Sequence, residues 1–156
     1  MDFEILKRVL AAFEARGVKY VIFGAVALNL HGLARATEDL DIFIAPEDVN
    51  VDRLKSVLRD VFDDPEIDNI TAQDLLGDYP AVQYNPPGSG FYMDILTRLG
   101  EAFAFADLET ERAPFHDLTV TVVTPRMLYK MKKDTVRPQD RADADFLRRH
   151  FHLEND

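Results

Sequence analysis

The chain predicts an α/β fold of the α+β kind, a mixed sheet of four or five strands with helices laid against it. Two stretches, 2–16 and 48–62, carry apolar residues at helical spacing. Short β-branched runs recur at 18–23, 40–45 and 118–124, and Gly24 joins the first of them to a helix-forming stretch. At 156 residues, 47% of them hydrophobic and 29% charged, the sequence has the length and composition of one globular domain over 1–156. Cysteine is absent, which excludes a disulfide framework, a thiol nucleophile and a thiolate zinc site.

Phe3, Leu6, Val9, Leu10 and Phe13 share one helical stripe, and Arg16-Gly17 supplies a basic last turn with a glycine C-cap. Val18 to Phe23 reads as a buried strand stopped by Gly24, and Ala25 to Leu30 as a helix ended by Gly32. A strand from Leu40 to Ala45 stops at Pro46. Val51, Leu54, Val57, Leu58 and Val61 predict a helix over 48–62, broken by Asp63-Asp64-Pro65. Within 63–79 only Thr71–Leu76 suggests a helical turn or two. Ala81–Tyr84 and Phe91–Thr97 flank the turn-rich Asn85-Pro-Pro-Gly-Ser-Gly90, which makes them antiparallel partners. The stretch 103–108 is ambiguous. Leu118–Thr124 alternates as a strand, Thr124 caps a helix from Pro125 to about Asp134, and a last helix follows Pro138 to about Phe151.

Carboxylates inside apolar strands pose a physical question, because an unpaired charge between Met93 and Ile95 is expensive to bury. Strand alternation points Asp39 and Asp41 the same way, and Asp94 on a neighbouring strand completes a trio able to surround a divalent cation. Asp-x-Asp alone reads as a solvated strand end. With Asp94 and the Gly24 turn beside it, it reads as a Mg²⁺ or Mn²⁺ site for phosphoryl or nucleotidyl transfer. Gly24-Ala25 opens a helix whose first N–H groups can hold phosphate oxygens, the alternative being an ordinary strand-to-helix turn. Only one glycine lies there, so no dinucleotide fingerprint is present. Arg35 and Thr37 lie on the polar approach to Asp39. Arg35 is a candidate phosphate ligand or a surface partner of Glu38 or Asp39. Lys130 and Lys133 are placed to reach a triphosphate or the acceptor. A solvated basic helix face is the alternative, and the preferred one for Lys132 and Lys133.

The stretch from Val21 to Ile44, with its glycine turn, His31-Gly32, Arg35-x-Thr37-x-Asp39-Leu-Asp41 and the later Asp94, resembles the DNA polymerase beta nucleotidyltransferase superfamily. It is most similar to the small bacterial members of the abortive-infection toxin type. The resemblance continues through Thr124-Pro125, Lys130, Arg137, Asp140 and Asp143, and so covers nearly the whole chain. It implies that Asp39 and Asp41 bind both metal ions, and that Asp94 binds the catalytic one and accepts the proton of the attacking hydroxyl. It also implies an NTP substrate and an acceptor that is an RNA end such as transfer RNA, a partner protein or a small hydroxylated molecule. The family commonly has Gly-Ser or Gly-Gly at the turn where this chain has Gly24-Ala25, which removes one hydroxyl from the phosphate contacts. A catalytically silent binding or sensing module, such as one half of a toxin–antitoxin pair, is the alternative.

Other classes fit less well. His31, His116, His150 and His152 lack ligand spacing and read as structural or surface residues. Ser56 and Ser89 have no adjacent acid–base pair, which argues against a serine hydrolase. In an aspartyl phosphatase a buried strand leads up to the Asp-x-Asp, whereas here the apolar run follows it. No run approaches the roughly 18 apolar residues of a membrane span, and the acidic N-terminus is unlike a signal peptide, so a cytoplasmic protein without membrane contact is expected. The net charge of −10 disfavours indiscriminate polyanion binding, yet residues 126–149 hold eight Lys/Arg against four Asp, a face suited to phosphates.

Overall fold

The computed structural model describes residues 2–154. Helix α1 (Phe3–Arg16) is capped by Asp2, whose side chain accepts from the amides of Glu4 and Ile5, and ends at Gly17 in the left-handed conformation. Strand β1 (Tyr20–Phe23) runs directly into α2 (Gly24–Leu30). Then come β2 (Asp39–Ile44), α3 (Asp48–Phe62), a 3₁₀ turn (Pro65–Asn69), α4 (Ala72–Leu76), β3 (Ala81–Tyr84) and β4 (Tyr92–Leu96). A small ribbon of β5 (Arg98–Leu99) and β6 (Phe103–Ala104) precedes a second 3₁₀ turn (Phe105–Asp107). Finally β7 (Thr110–Phe115) and β8 (Leu118–Val123) lead to α5 (Pro125–Lys132) and α6 (Pro138–His150).

The main sheet has six strands in the order β3-β4-β2-β1-β8-β7, where four or five were expected. It is mixed: β1 pairs antiparallel with β2 and parallel with β8, β2 and β4 are parallel, and the two outer pairs are antiparallel. The additional strand is β7, whose sequence Thr-Glu-Arg-Ala-Pro-Phe has no apolar alternation. It lies at the sheet edge, where Pro114 is tolerated and no second neighbour demands buried side chains. Its hairpin with β8 turns at His116, which adopts φ +55°.

Burial follows from period 2. Ile22, Leu40, Ile42, Met93, Ile95 and Val122 are fully buried, whereas Asp39, Asp41 and Asp94, on the alternate positions, are only half-buried. Leu6, Val9, Leu10 and Phe13 of α1 join Val51, Leu54, Val57 and Leu58 of α3 in the same core cluster as these strands. Buried Asn50 ties α3 to the strand ends, donating to the carbonyls of Lys19 and Ala45 and accepting from the Lys19 amide. With one apolar face consumed by the core, the polar face at the meeting of β2 and β4 is left for chemistry.

Candidate active site

The register of β2 on β4 sets Asp41 opposite Asp94 and Asp39 opposite Tyr92. Because paired residues share a face, the three carboxylates converge, and with β1 and β3 they extend a cross-strand row: Gln83, Asp94, Asp41, Phe23. Asp39, Asp41 and Asp94 line one cavity of about 610 Å³ together with Phe23, Gln83 and Arg137. The Phe23 ring rests 4.8 Å from that of Phe43, which fixes this aromatic wall.

Crowding of like charge shows in the acid strengths. Burial, the hydrogen bond to Asp94 and the charges of Asp94 and Asp39 push Asp41 up to about 8, with Lys132 pulling the other way. Asp39 is raised as well, by burial first and then by Asp94 and Glu38. The site thus favours a proton or a cation among its carboxylates. Among the described residues no three His, Cys, Asp or Glu side chains already stand at ligating spacing, so the trio shares a face and a cavity without closing into a cage.

Gly24 has φ +69°, and a Cβ built on it would overlap Oδ2 of Asp41. A glycine is therefore required here by the carboxylate itself as well as by the backbone. No side chain caps the start of α2, which leaves the first amides, those of Gly24 and Ala25, open to another acceptor.

The remaining predicted residues lie elsewhere. Arg35 donates to Asp143 of α6 at 2.6 Å, not to Glu38 or Asp39, and Asn29 clamps its backbone through both N–H and C=O. Thr37 Oγ1 accepts from the Asp39 amide and donates to the Asp39 carbonyl, bracing the entry to β2. Neither lines the carboxylate cavity; both line a smaller, mainly apolar one of about 210 Å³. Lys130 is exposed, and its charge only adds to the Arg126 and Thr124 hydrogen bonds that lower Glu109. Lys133 lies 5.9 Å from the centre of the Tyr129 ring.

Lys132, expected on a solvated face, is instead largely buried against α6. Its Nζ donates to Asp140 at 3.0 Å and Asp143 at 3.1 Å, and its charge reaches Asp41. Arg137 donates twice to Asp140 and borders the carboxylate cavity. The Arg137 hydrogen bond, ahead of those from Lys132 and Thr135, holds Asp140 well below the usual carboxylate range. The signal for Lys132 was present: it falls one helical turn after buried Leu128, while Asp140 and Asp143 are one turn apart on the facing helix. His31 is structural, with Nε2 2.7 Å from the Val123 carbonyl and its ring edge-on to Phe151.

The sequence model of the nucleotidyl transferase AbiEii toxins of type IV toxin–antitoxin systems matches residues 5–152. The chain belongs to this AbiEii family. It is accordingly a nucleotidyltransferase, and no helix among its described residues is long and apolar enough to cross a membrane. No curated protein matches it. Solved structures share the fold at low identity. The lincosamide antibiotic adenylyltransferase LnuA, lincomycin-bound, has TM-score 0.62 and 15% identity, with 95% of this chain and 97% of that one covered. ANT(2'')-Ia in complex with adenylyl-2''-tobramycin has TM-score 0.59 and 11% identity, covering 96% and 90%. A nucleotidyltransferase-like protein of Thermotoga maritima has TM-score 0.53 and 14% identity, covering 96% and 92%.

Proposed function

We propose that this AbiEii-family chain moves a nucleoside monophosphate from an NTP to an acceptor, with Mg²⁺ or Mn²⁺ and with release of pyrophosphate. The observation that carries the reading is the register of β2 on β4, which sets Asp39, Asp41 and Asp94 on one face of one cavity. Their all-oxygen donor set, without His or Cys, suits a hard cation, and the raised pKa of Asp41 marks a place where positive charge is wanted. Such a cation, when bound, neutralises phosphate charge and polarises the α-phosphoryl group.

The protein's own groups would divide the remaining work. Lys132 and Arg137 supply positive charge for the phosphates from the α5–α6 side, with the open amides of Gly24 and Ala25 as further donors. Arg35 and Thr37 hold the β2 entry in place rather than touch nucleotide. Asp94 accepts the proton of the acceptor hydroxyl as its oxygen bonds to the α-phosphorus and the bond to the pyrophosphate oxygen breaks. The acceptor is a hydroxyl on an RNA end such as transfer RNA, on a partner protein or on a small molecule, as tobramycin is for the similar fold of ANT(2'')-Ia. A protein drawing on the NTP pool works in the cytoplasm.

Incubation with each α-labelled NTP, Mg²⁺ and fractionated cell extract tests this. Transfer of label by the parent protein and its loss in Asp39→Ala and Asp94→Ala is expected; equal labelling by all three proteins refutes the assigned roles.

A further inference from the structure

Alternation along 91–95 sends Phe91, Met93 and Ile95 into the core, each fully buried, and turns Tyr92 and Asp94 to the carboxylate face. The backbone around Tyr92 is fixed. The Phe91 amide donates to Ser89 Oγ, which donates in turn to the Pro86 carbonyl, and the Tyr92 amide donates to the Glu38 carbonyl at 3.2 Å. Tyr92 stands opposite Asp39 in the parallel ladder, one strand spacing of about 5 Å away, and two residues before Asp94, about 7 Å along its own strand.

The ring held there is unused by the fold. It is half-buried, yet it is not among the side chains packed on the hydrophobic core, and among the described residues it has no ring neighbour and its hydroxyl has no hydrogen-bond partner. Tyr20 and Tyr84, by contrast, each donate to a carboxylate, that of Glu14 and that of Asp64, and Phe23 on the same face as Tyr92 is packed on Phe43. A fixed aromatic ring beside a carboxylate that lines a cavity is a surface on which a planar ligand stacks.

We propose that Tyr92 is the platform on which the nucleobase of the NTP stacks. The inference rests on the nucleotidyl-transfer reading above, which puts the α-phosphate at Asp39, Asp41 and Asp94. One ribose separates that phosphate from the base, and Tyr92 is the aromatic side chain that adjoins Asp39 across the ladder. Its position nearer to Asp39 than to Asp94 assigns the ring to the nucleotide rather than to the acceptor whose proton Asp94 takes. Stacking uses the π-face that every base carries, so the ring holds the base without selecting among the four.

Titration calorimetry of the whole protein with Mg²⁺ tests this by comparing each NTP that the parent binds with tripolyphosphate, which keeps the phosphate charge and has no base. Tyr92→Ala and Tyr92→Leu should each raise the NTP Kd about 10-fold or more, the second because apolar bulk without a π-face does not stack. Tyr92→Phe, which keeps the ring, should stay within about 3-fold of the parent, and tripolyphosphate should bind all four proteins alike. Parental NTP affinity in Tyr92→Leu, an equal loss in Tyr92→Phe, or an equal loss of tripolyphosphate binding overturns the assignment. A rise confined to the KM of the acceptor in the labelled-transfer assay gives the ring to the acceptor and overturns it too. Parental NTP binding that Tyr92→Leu leaves untouched defeats this inference alone; absence of Mg²⁺-dependent NTP binding by the parent defeats the nucleotidyl-transfer reading and the inference with it.

Discussion

At the residue scale the site is a conflict between carboxylates, and two substitutions read it directly. Gly24 combines positive φ with the space that Oδ2 of Asp41 occupies. Gly24→Ala therefore costs about 1–3 kcal/mol in backbone strain and displaces Asp41. An activity loss of about 100-fold or more is expected, since a misplacement near 1 Å is enough. Labelled-transfer assays and thermal melts of the same preparation check both, and retention of parental activity would break the link between this turn and the carboxylate. Asp41 supplies the pH dependence. Its folded pKa, about 8, lies above its ordinary 3.8, so between those values the cation-free folded state binds more protons than the unfolded state. Stability thus falls as pH rises through about 4 to 8, and the full penalty persists above 8. Asp41→Asn carries no such penalty. In chelator its melting temperature should exceed the parent's by a margin that grows over that window, and parallel curves would show that the strain does not exist.

At the scale of elements, the α5–α6 pair is a charged clasp. Asp143, 2% exposed, receives Arg35 from the approach to β2 and Lys132 from α5, so one carboxylate joins three elements. Removing it takes the carboxylate from Arg35 and leaves Lys132 with Asp140 alone. Asp143→Ala should cost about 3 kcal/mol, or roughly 6–12 °C in melting temperature for a chain of this size. Calorimetry measures it, and a shift within about 1 kcal/mol would mean that Asp140 alone satisfies Lys132. The same pair shows what residue types reveal and what they conceal. Both helices follow from Pro at their first positions and from the Thr124 cap, and α3 runs from Asp48 to Phe62 as its apolar spacing predicts. The partner of Arg35 does not follow. Arg35 and Asp143 are separated by 108 positions, and local patterning carries no information about which distant carboxylate a cation meets. Strand β7 is hidden for a different reason, since an exposed edge strand has no buried face to impose alternation. The segment 63–79 is ordered by side-chain caps, Asp64 on its 3₁₀ turn and Thr71 on α4, rather than by a long apolar stripe.

Across the whole molecule, the sheet order explains why the carboxylate face could be anticipated from the chain, whereas the basic stretch 126–149 could be read as a whole but not for which of its cations turns toward that face. Asp39, Asp41 and Asp94 sit on strands whose own alternation fixes their face, and only the parallel pairing of β2 with β4 had to be supplied by topology. The placing of those cations depends on β8 lying beside β1, because that parallel crossover delivers α5 and α6 to the same end of the sheet. A nucleotide bridging the carboxylates and these cations would bind elements distant in sequence, and linkage then makes it a stabiliser of the entire fold. At 100 times its Kd such a ligand adds about 2.7 kcal/mol, which is roughly 5–11 °C for a chain of this length. Mg²⁺ and NTP together should produce this rise, while NTP alone, facing three carboxylates with no cation between, should produce little. Asp94→Ala should lose most of the shift, and Lys132→Met should weaken it from the α5 side. Scanning calorimetry of the parent and both variants decides the matter: an equal rise with NTP alone, or an undiminished rise in Asp94→Ala, would place the nucleotide away from this cavity.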